Sequence, residues 1–355
     1  MSAITSSLSR SPLKTLTILS IAISGCATHI VRADWMLVWS DEFNGSVLDT
    51  NYWSFDLSNC DGWGNNELEY YTSSTNNAYL AGGSLHIAAL KQPTNGFLYT
   101  SSRVTTSGAD FCTDLPTGNG SFSFLNGRVE VRAKLPSGPG FWPAIWMLPI
   151  DNATSPYGNW PQYGEIDIME NNGMTLNYVK GNVIYNGGHQ DQDCFVNDIT
   201  QWHVYALEWF TNRINWLVDG VTNGTATTWN PPSGYAYPAP FDRPFMIILN
   251  VAIGGSYTDS DTNHINASLP GEMVVDYVRV YRQTGPILSV AATNYSVIVS
   301  WFQQPDAWVL EQASTTTDNI WTQVSIGEYQ TNQNQTYIIA PTPLGGSMFY
   351  RLRKQ

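Results

Sequence analysis

The segment Gly127-Arg128-Val129-Glu130-Val131-Arg132-Ala133-Lys134-Leu135 fits only one kind of backbone. In an extended chain Val129, Val131 and Ala133 share one face and four charged side chains share the other, whereas a helix would scatter both sets. The same period of two runs through Ser84–Leu90, Trp202–Trp209 and Val274–Tyr281. It also runs through Arg213–Gly220, which ends in Asp219-Gly220, a hairpin turn signal. Phe245 to Ala252 is almost continuously apolar and reads as a strand buried on both faces. Long helical patterns are missing. Many strands joined by Gly/Pro-rich turns predict an all-β protein, a sandwich or jelly roll.

The texture changes after Tyr281. Gln283-Thr284-Gly285-Pro286 reads as a linker, and residues 287–355 are rich in Gln, Asn and Thr with short strands at Ser296–Trp301 and Phe349–Leu352. The expectation is a large domain over residues 34–283 and a small C-terminal β module over 287–355. At about 70 residues that module is near the lower size for independent folding, and it reads as a spacer or as a device for carbohydrate binding or surface attachment.

Residues 1–33 read as an export segment. Arg10 and Lys14 precede the apolar run Leu16–Ile23, which is too short to span a bilayer. Val31-Arg32-Ala33 suits signal peptidase, whereas Ile23-Ser24-Gly25-Cys26 resembles a lipoprotein box that would leave Cys26 lipidated. The expected location is therefore extracellular, free or lipid-anchored through Cys26. Export implies an oxidising compartment, and three cysteines remain after cleavage at Ala33: Cys60, Cys112 and Cys194. At most one intrachain disulfide can form, and Cys60–Cys112 is the expected one, with Cys194 a buried thiol.

The formal charge is −13, and removal of Arg10, Lys14 and Arg32 with the leader would make it −16. Such a chain repels nucleic acid and anionic membranes. Aromatic residues make up 13% of the chain, with 14 Trp and 19 Tyr, and they suit the apolar faces of sugar rings. A neutral polysaccharide is the expected partner, a monomer the expected state, and no cofactor is expected in catalysis.

In Tyr163-Gly164-Glu165-Ile166-Asp167-Ile168-Met169-Glu170, three carboxylates stand among residues that favour burial. On a regular strand Glu165 and Asp167 share a face, and Glu170 falls on the opposite one. One extra residue, a β-bulge at Ile168-Met169, restores Glu170 to the acidic face. Three aligned acids cannot all ionise at the same pH. Glycoside hydrolysis uses that separation, since one carboxylate attacks while a protonated one donates to the leaving oxygen. In retaining enzymes the pair lies about 5–5.5 Å apart, a spacing that a bulged strand can reach. A solvated acidic face or a calcium site is the competing reading of the motif taken alone.

This stretch resembles the bulged E-x-D-x-x-E signature of glycoside hydrolase family 16, and the resemblance extends from about Trp35 to Tyr281. Trp39–Gly45, Gly140–Pro149, Leu249–Gly255 and the strand of Asp276 all match, and Trp63-Gly64-Asn65-Asn66-Glu67-Leu68-Glu69-Tyr70-Tyr71-Thr72 is similar to the laminarinase branch. The resemblance implies a β-jelly roll of two curved sheets with a substrate cleft on the concave face. It implies retaining hydrolysis of internal β-1,3-glucosidic bonds, with Glu165 as nucleophile, Glu170 as general acid/base and Asp167 hydrogen-bonded to Glu165. It also implies that Trp142 and Trp146 stack on glucose rings, with Trp160 as a further platform, and that Asn66, Glu69 and Arg103 bind hydroxyls. A structural calcium is implied on the convex side, held by the Glu42 and Gly83 carbonyls and the Asp276 carboxylate. Two positions depart from the pattern: Ile184 stands where relatives carry a His, and Tyr257 where a Trp often follows the Gly-Gly pair. The same signature serves enzymes of mixed-linkage glucans, agar and carrageenan, and glucan-recognition proteins that usually lack the glutamates.

Overall fold

A computed structural model describes residues 35–354, apart from 287, 293–295, 303–306, 315–319, 333–334 and 342–347. The leader over residues 1–33, Cys26 included, lies outside the described residues. The chain divides between Arg282 and Gln283 into a large unit, Leu37–Arg282, and a smaller one built mainly from the residues that follow.

The large unit is a two-sheet sandwich. One sheet has seven strands in the order Gly188–Phe195, Tyr178–Tyr185, Glu165–Glu170, Phe141–Pro149, Phe245–Ile253, Arg103–Thr105 and Ser54–Asp56. The other runs Val221–Ala226, Arg213–Val218, His203–Phe210, Gly127–Lys134, Gly271–Gln283, Ser84–Ala89 and Ala78–Ala81, and Trp35–Asp41 joins it against Gly271–Gln283. Val129, Val131 and Ala133 enter the core between the sheets while Arg128 pairs with Glu130 and Glu208 on the outer side. The alternation predicted the faces because the apolar face alone gains by leaving water. Phe245–Ile253 is buried along its whole length and pairs residue for residue with Phe141–Pro149, from Phe245 opposite Pro149 to Ile253 opposite Phe141. Among the described residues the single α-helix is Thr262–Ser268, its first turn capped by the Asp261 carboxylate. The expected all-β jelly roll is the fold that forms.

The smaller unit packs a four-stranded against a three-stranded sheet around Leu288, Val290, Val297, Val299, Trp301, Leu310, Val324, Ile338 and Tyr350. Buried Glu311 accepts hydrogen bonds from Arg351 (2.7 Å) and Arg353 (2.6 Å). This unit therefore has its own core, separate from that of the large one.

Candidate active site

The acidic strand is fixed from its apolar side. Ile166, Ile168 and Met169 are all buried in the core of the sandwich, and each contributes about 1.5–3 kcal/mol by leaving water. Three core residues among six fit a strand only if it bulges. The register shows the extra residue: Asp167 faces Asn182 and Glu170 faces Lys180, three steps against two. On the other neighbour Asp167 faces Trp146 and Met169 faces Ile145, again with one residue in excess. The bulge turns Glu165, Asp167 and Glu170 to one face, as the sequence predicts.

A second device pins the bulge. Trp216, on the opposite sheet, donates its indole N–H to the Asp167 carbonyl at 2.7 Å through the buried core. It passes Gly181 on the neighbouring strand, where a Cβ would overlap the indole ring. Gly181 is thus the opening through which the second sheet reaches the acidic strand.

Glu165, Asp167 and Glu170 line a cavity of about 770 Å³ together with Trp142, Trp146, Trp160 and Arg103. Two indoles hold the outer acids: Trp142 donates to Glu170 Oε1 at 2.9 Å, and Trp160 donates to Glu165 Oε2 at 2.7 Å. Trp160 is 53% exposed, so its ring is open to a ligand while its N–H is engaged. Trp146 donates to Asn250 Oδ1 at 2.8 Å. Arg103 is held between the rings of Trp146 (4.6 Å) and Trp63 (4.2 Å), with Asp56 Oδ2 2.7 Å from its Nε. That short contact is a buried ion pair. The Cys60–Cys112 disulfide ties the segment carrying Trp63 to the segment carrying Phe111, a further ring near the guanidinium. Cys194 is a buried free thiol.

Burial raises all three acids above their ordinary values, against different opposing contacts. Burial raises Glu170 to about 7, helped by the Glu165 charge and opposed by the Trp142 N–H. Burial also raises Glu165, but the N–H of Trp160, the proton of Asp167 and the charge of Arg103 each pull it back. Asp167 is pushed well above the carboxylate range by burial and by Glu165 and Glu170 on either side. Its buried Oδ2 faces no N–H or hydroxyl donor, which fits a carboxylic acid giving its own proton to Glu165. The row therefore holds one acid pulled back by its donors and by Arg103, one pushed well up between two acids, and one raised to about 7.

Two predicted hydroxyl binders fall elsewhere. Asn66 adopts a left-handed turn conformation (φ 60°) and is exposed, outside the cavity lining. Glu69 is fully buried behind the wall, where it accepts from the Ile253 amide at 2.6 Å. The residues of that segment that do line the cavity are Trp63, Gly64, Asn65 and Glu67. Sequence reading also passed over Asn250, whose signal was present: it is the lone polar residue in the apolar run Phe245–Ile253. Lys180, Asn182, Asp191 and Tyr257 line the cavity as well, and Ile184 stands opposite Glu165 in the strand register.

Two side chains at the implied calcium positions are already paired with guanidinium groups. The Asp276 carboxylate receives Arg132 Nη1 at 2.7 Å, and the Glu42 side chain is bound by Arg279 through both oxygens (2.8 and 2.7 Å). Two carbonyls would remain beside a carboxylate already neutralised by a guanidinium, whereas Ca²⁺ favours carboxylate-rich oxygen sites. Among the described residues no cluster of three His, Cys, Asp or Glu side chains is placed to hold a metal, and no helix is long and apolar enough to cross a membrane.

A β-sandwich with a bulged row of three carboxylates in an open, indole-lined cavity is built to cleave glycosidic bonds of a long sugar chain. Comparison with known proteins agrees. Residues 69–279 match the model of glycosyl hydrolases family 16, and the chain belongs to that family. The beta-glucanase of Rhodothermus marinus is 40% identical over 287 residues, covering 76% of this chain and 94% of that protein. The glucan endo-1,3-beta-glucosidase A1 of Niallia circulans is 38% identical over 295 residues, covering 73% of this chain but 39% of that longer protein. The solved laminarinase from Rhodothermus marinus superposes with a TM-score of 0.61 at 39% identity, covering 71% of this chain and 99% of that one.

Proposed function

We propose that the protein is a secreted, retaining endo-glycosidase that hydrolyses internal β-1,3-glucosidic bonds of laminarin-type glucan. The observation that carries this reading is the bulge that brings Glu165, Asp167 and Glu170 to one face of the indole-lined cavity, with an indole N–H on each outer acid. Glu165, held by Trp160, attacks the anomeric carbon while Glu170 gives its proton to the departing glycosidic oxygen. The C–O bond to the leaving sugar breaks as the Glu165–carbon ester forms. Glu170, now ionised, takes a proton from water, whose oxygen displaces Glu165 from the anomeric carbon and regenerates both groups. The Asp167 proton stabilises Glu165 each time it is a free carboxylate. Trp142, Trp146 and Trp160 supply stacking faces along the cavity.

The charge of the cavity bears on the substrate. Its cations are Arg103, matched by Asp56, and Lys180, paired with Asp191, against the catalytic acids and Glu67. A sulfated galactan would meet net repulsion there, whereas a neutral glucan would not. The names of the Niallia circulans relative and of the solved laminarinase point to β-1,3-glucan. Export, with processing after Ala33 or lipidation at Cys26, is supported by the Cys60–Cys112 disulfide.

The test is a product profile on laminarin, mixed-linkage β-glucan, agarose and carrageenan, using protein lacking residues 1–33. The expected result is a ladder of short β-1,3-oligosaccharides from laminarin, with the anomeric configuration kept in the first products. Preferential cleavage of a galactan, or inverted products, would overturn the substrate or the mechanism respectively. Binding without cleavage of any of the four would make the protein a recognition module.

A further inference from the structure

We propose that Asp191 and Lys180 form a positioning pair that keeps the acid/base Glu170 protonated by holding the Lys180 ammonium away from it. This rests on the reading of Glu170 as the proton donor. The two residues lie on the strands beyond the catalytic one and were not singled out by the sequence motifs. Glu170 stands opposite Lys180 in the register, and Lys180 stands opposite Asp193 on the edge strand. An ammonium beside a carboxylate would ordinarily pair with it and leave it ionised, which is the wrong state for a proton donor. Here the Lys180 Nζ instead pairs along the wall, 3.3 Å from Asp191 Oδ2 and 3.8 Å from Asp193 Oδ1, and makes no ion pair with Glu170. Asp191 lines the cavity with Lys180, so the two opposing charges stand together on the wall next to Glu170.

Every other group around Glu170 has its own partner or no charge to give. On its own strand Glu165 is bound by Trp160, and Asp167 is pushed well above the carboxylate range by burial. The Phe141–Pro149 strand presents the indoles of Trp142 and Trp146. From the loop after Ile253 comes Tyr257, and on the Lys180 strand Tyr178 lies opposite Phe195, at the far end from Ile184. On the edge strand His189 Nε2 approaches Asp191 Oδ1 at 3.9 Å and is itself 64% exposed. Arg103 is committed to Asp56, and Glu67 to Asn65 and Tyr71. The Trp216 side of the strand is core. Lys180 is thus the cation within reach of Glu170 whose placement depends on a partner that mutation can remove. Asp191 acts twice, since its charge opposes ionisation of Glu170 and its carboxylate keeps Lys180 paired.

The experiment is a set of kcat/KM pH profiles on laminarin for the wild type, Asp191→Asn, Lys180→Met and the double variant. Asp191→Asn removes the restraint, so the alkaline limb should move down by roughly half to one pH unit, discounted for the partial exposure of the pair. Activity above the limb should then fall about three- to tenfold. Lys180→Met should move the limb the opposite way. The double variant, which deletes both charges, should return the limb close to that of the wild type. A limb that stays in place in both single variants, or that moves the same way in both, overturns the proposal. The position of a limb does not depend on the fraction of active protein, so partial misfolding cannot imitate this result. Glu170→Gln separates the two levels. If it abolishes turnover while Asp191→Asn leaves the limb in place, the pairing idea fails alone. If Glu170→Gln keeps both turnover and limb, the assignment of Glu170 fails and this proposal fails with it.

Discussion

Glu170, the proposed proton donor, is also a source of instability. Its folded-state value of about 7 lies above the ordinary 4.5, so the folded protein holds this proton more tightly than the unfolded chain does. The sign follows from linkage: the stabilisation is complete below pH 4.5, is lost as pH rises toward 7, and stays lost above it. Replacing Glu170 by Gln removes the titration. The full shift would amount to about 3 kcal/mol, but Glu170 is only half-buried by surface area, so a gain on the order of 1–2 kcal/mol is expected. The Tm of Glu170→Gln should therefore exceed that of the wild type by about 2–6 °C at pH 8 and match it at pH 4. The same substitution should lower kcat by about 10²–10⁴-fold, because the leaving oxygen then departs without a proton. Equal Tm differences at both pH values would mean that the group is not held protonated by the fold.

The bulged strand depends on its neighbours in a way that one glycine tests. A methyl group at position 181 would meet the Trp216 indole, which supports the bulge through the Asp167 carbonyl. Gly181→Ala should cost about 1–3 kcal/mol as overpacking. It should also reduce kcat more than it raises KM, because the acids lose their alignment while the stacking indoles stay in place; calorimetry and steady-state kinetics read the two effects. The convex strand carries a different expectation. Calcium would have to compete with Arg132 for Asp276, so we propose that any binding there is weak, and a chelator should change Tm by less than about 2 °C at millimolar calcium. Arg132→Met should make that dependence on calcium larger. These elements also show what was legible beforehand. The bulge could be read because three apolar residues and three acids in six positions admit few strand geometries. The segment Trp63–Thr72 could not be read to the residue, because it leaves the ladder through left-handed turns at Trp63, Gly64 and Asn66, where the period of two no longer assigns faces. The expectation that fell on Asn66 and Glu69 belongs in space to Asn65 and Glu67. Lys180 and Asp191 stayed hidden because their meaning lies in a register between strands, which composition does not display.

The two units stand on separate hydrophobic cores, one around the strands of the sandwich and the other around Trp301 and Tyr350. The cavity and all residues assigned to chemistry lie within the large unit. The strand Gly271–Gln283 closes that unit and pairs with Ser84–Ala89 and Gly127–Lys134, so a cut must fall after it. A chain ending at Thr284 should keep its sheet ladders and its core. We expect its kcat on soluble laminarin to stay within about twofold of the full chain, since no group that touches the reacting atoms is removed. Calorimetry of the full chain should show two transitions, and the shortened chain should lose one of them. Insoluble glucan adds a second readout, because attachment acts there through effective concentration. If the small unit binds carbohydrate, its removal should lower the rate on particles by about tenfold or more while the rate on soluble substrate holds. Equal rates on both substrates would assign residues after Gln283 to spacing or surface attachment. A loss on soluble substrate would instead mean that the sandwich needs the smaller unit to fold.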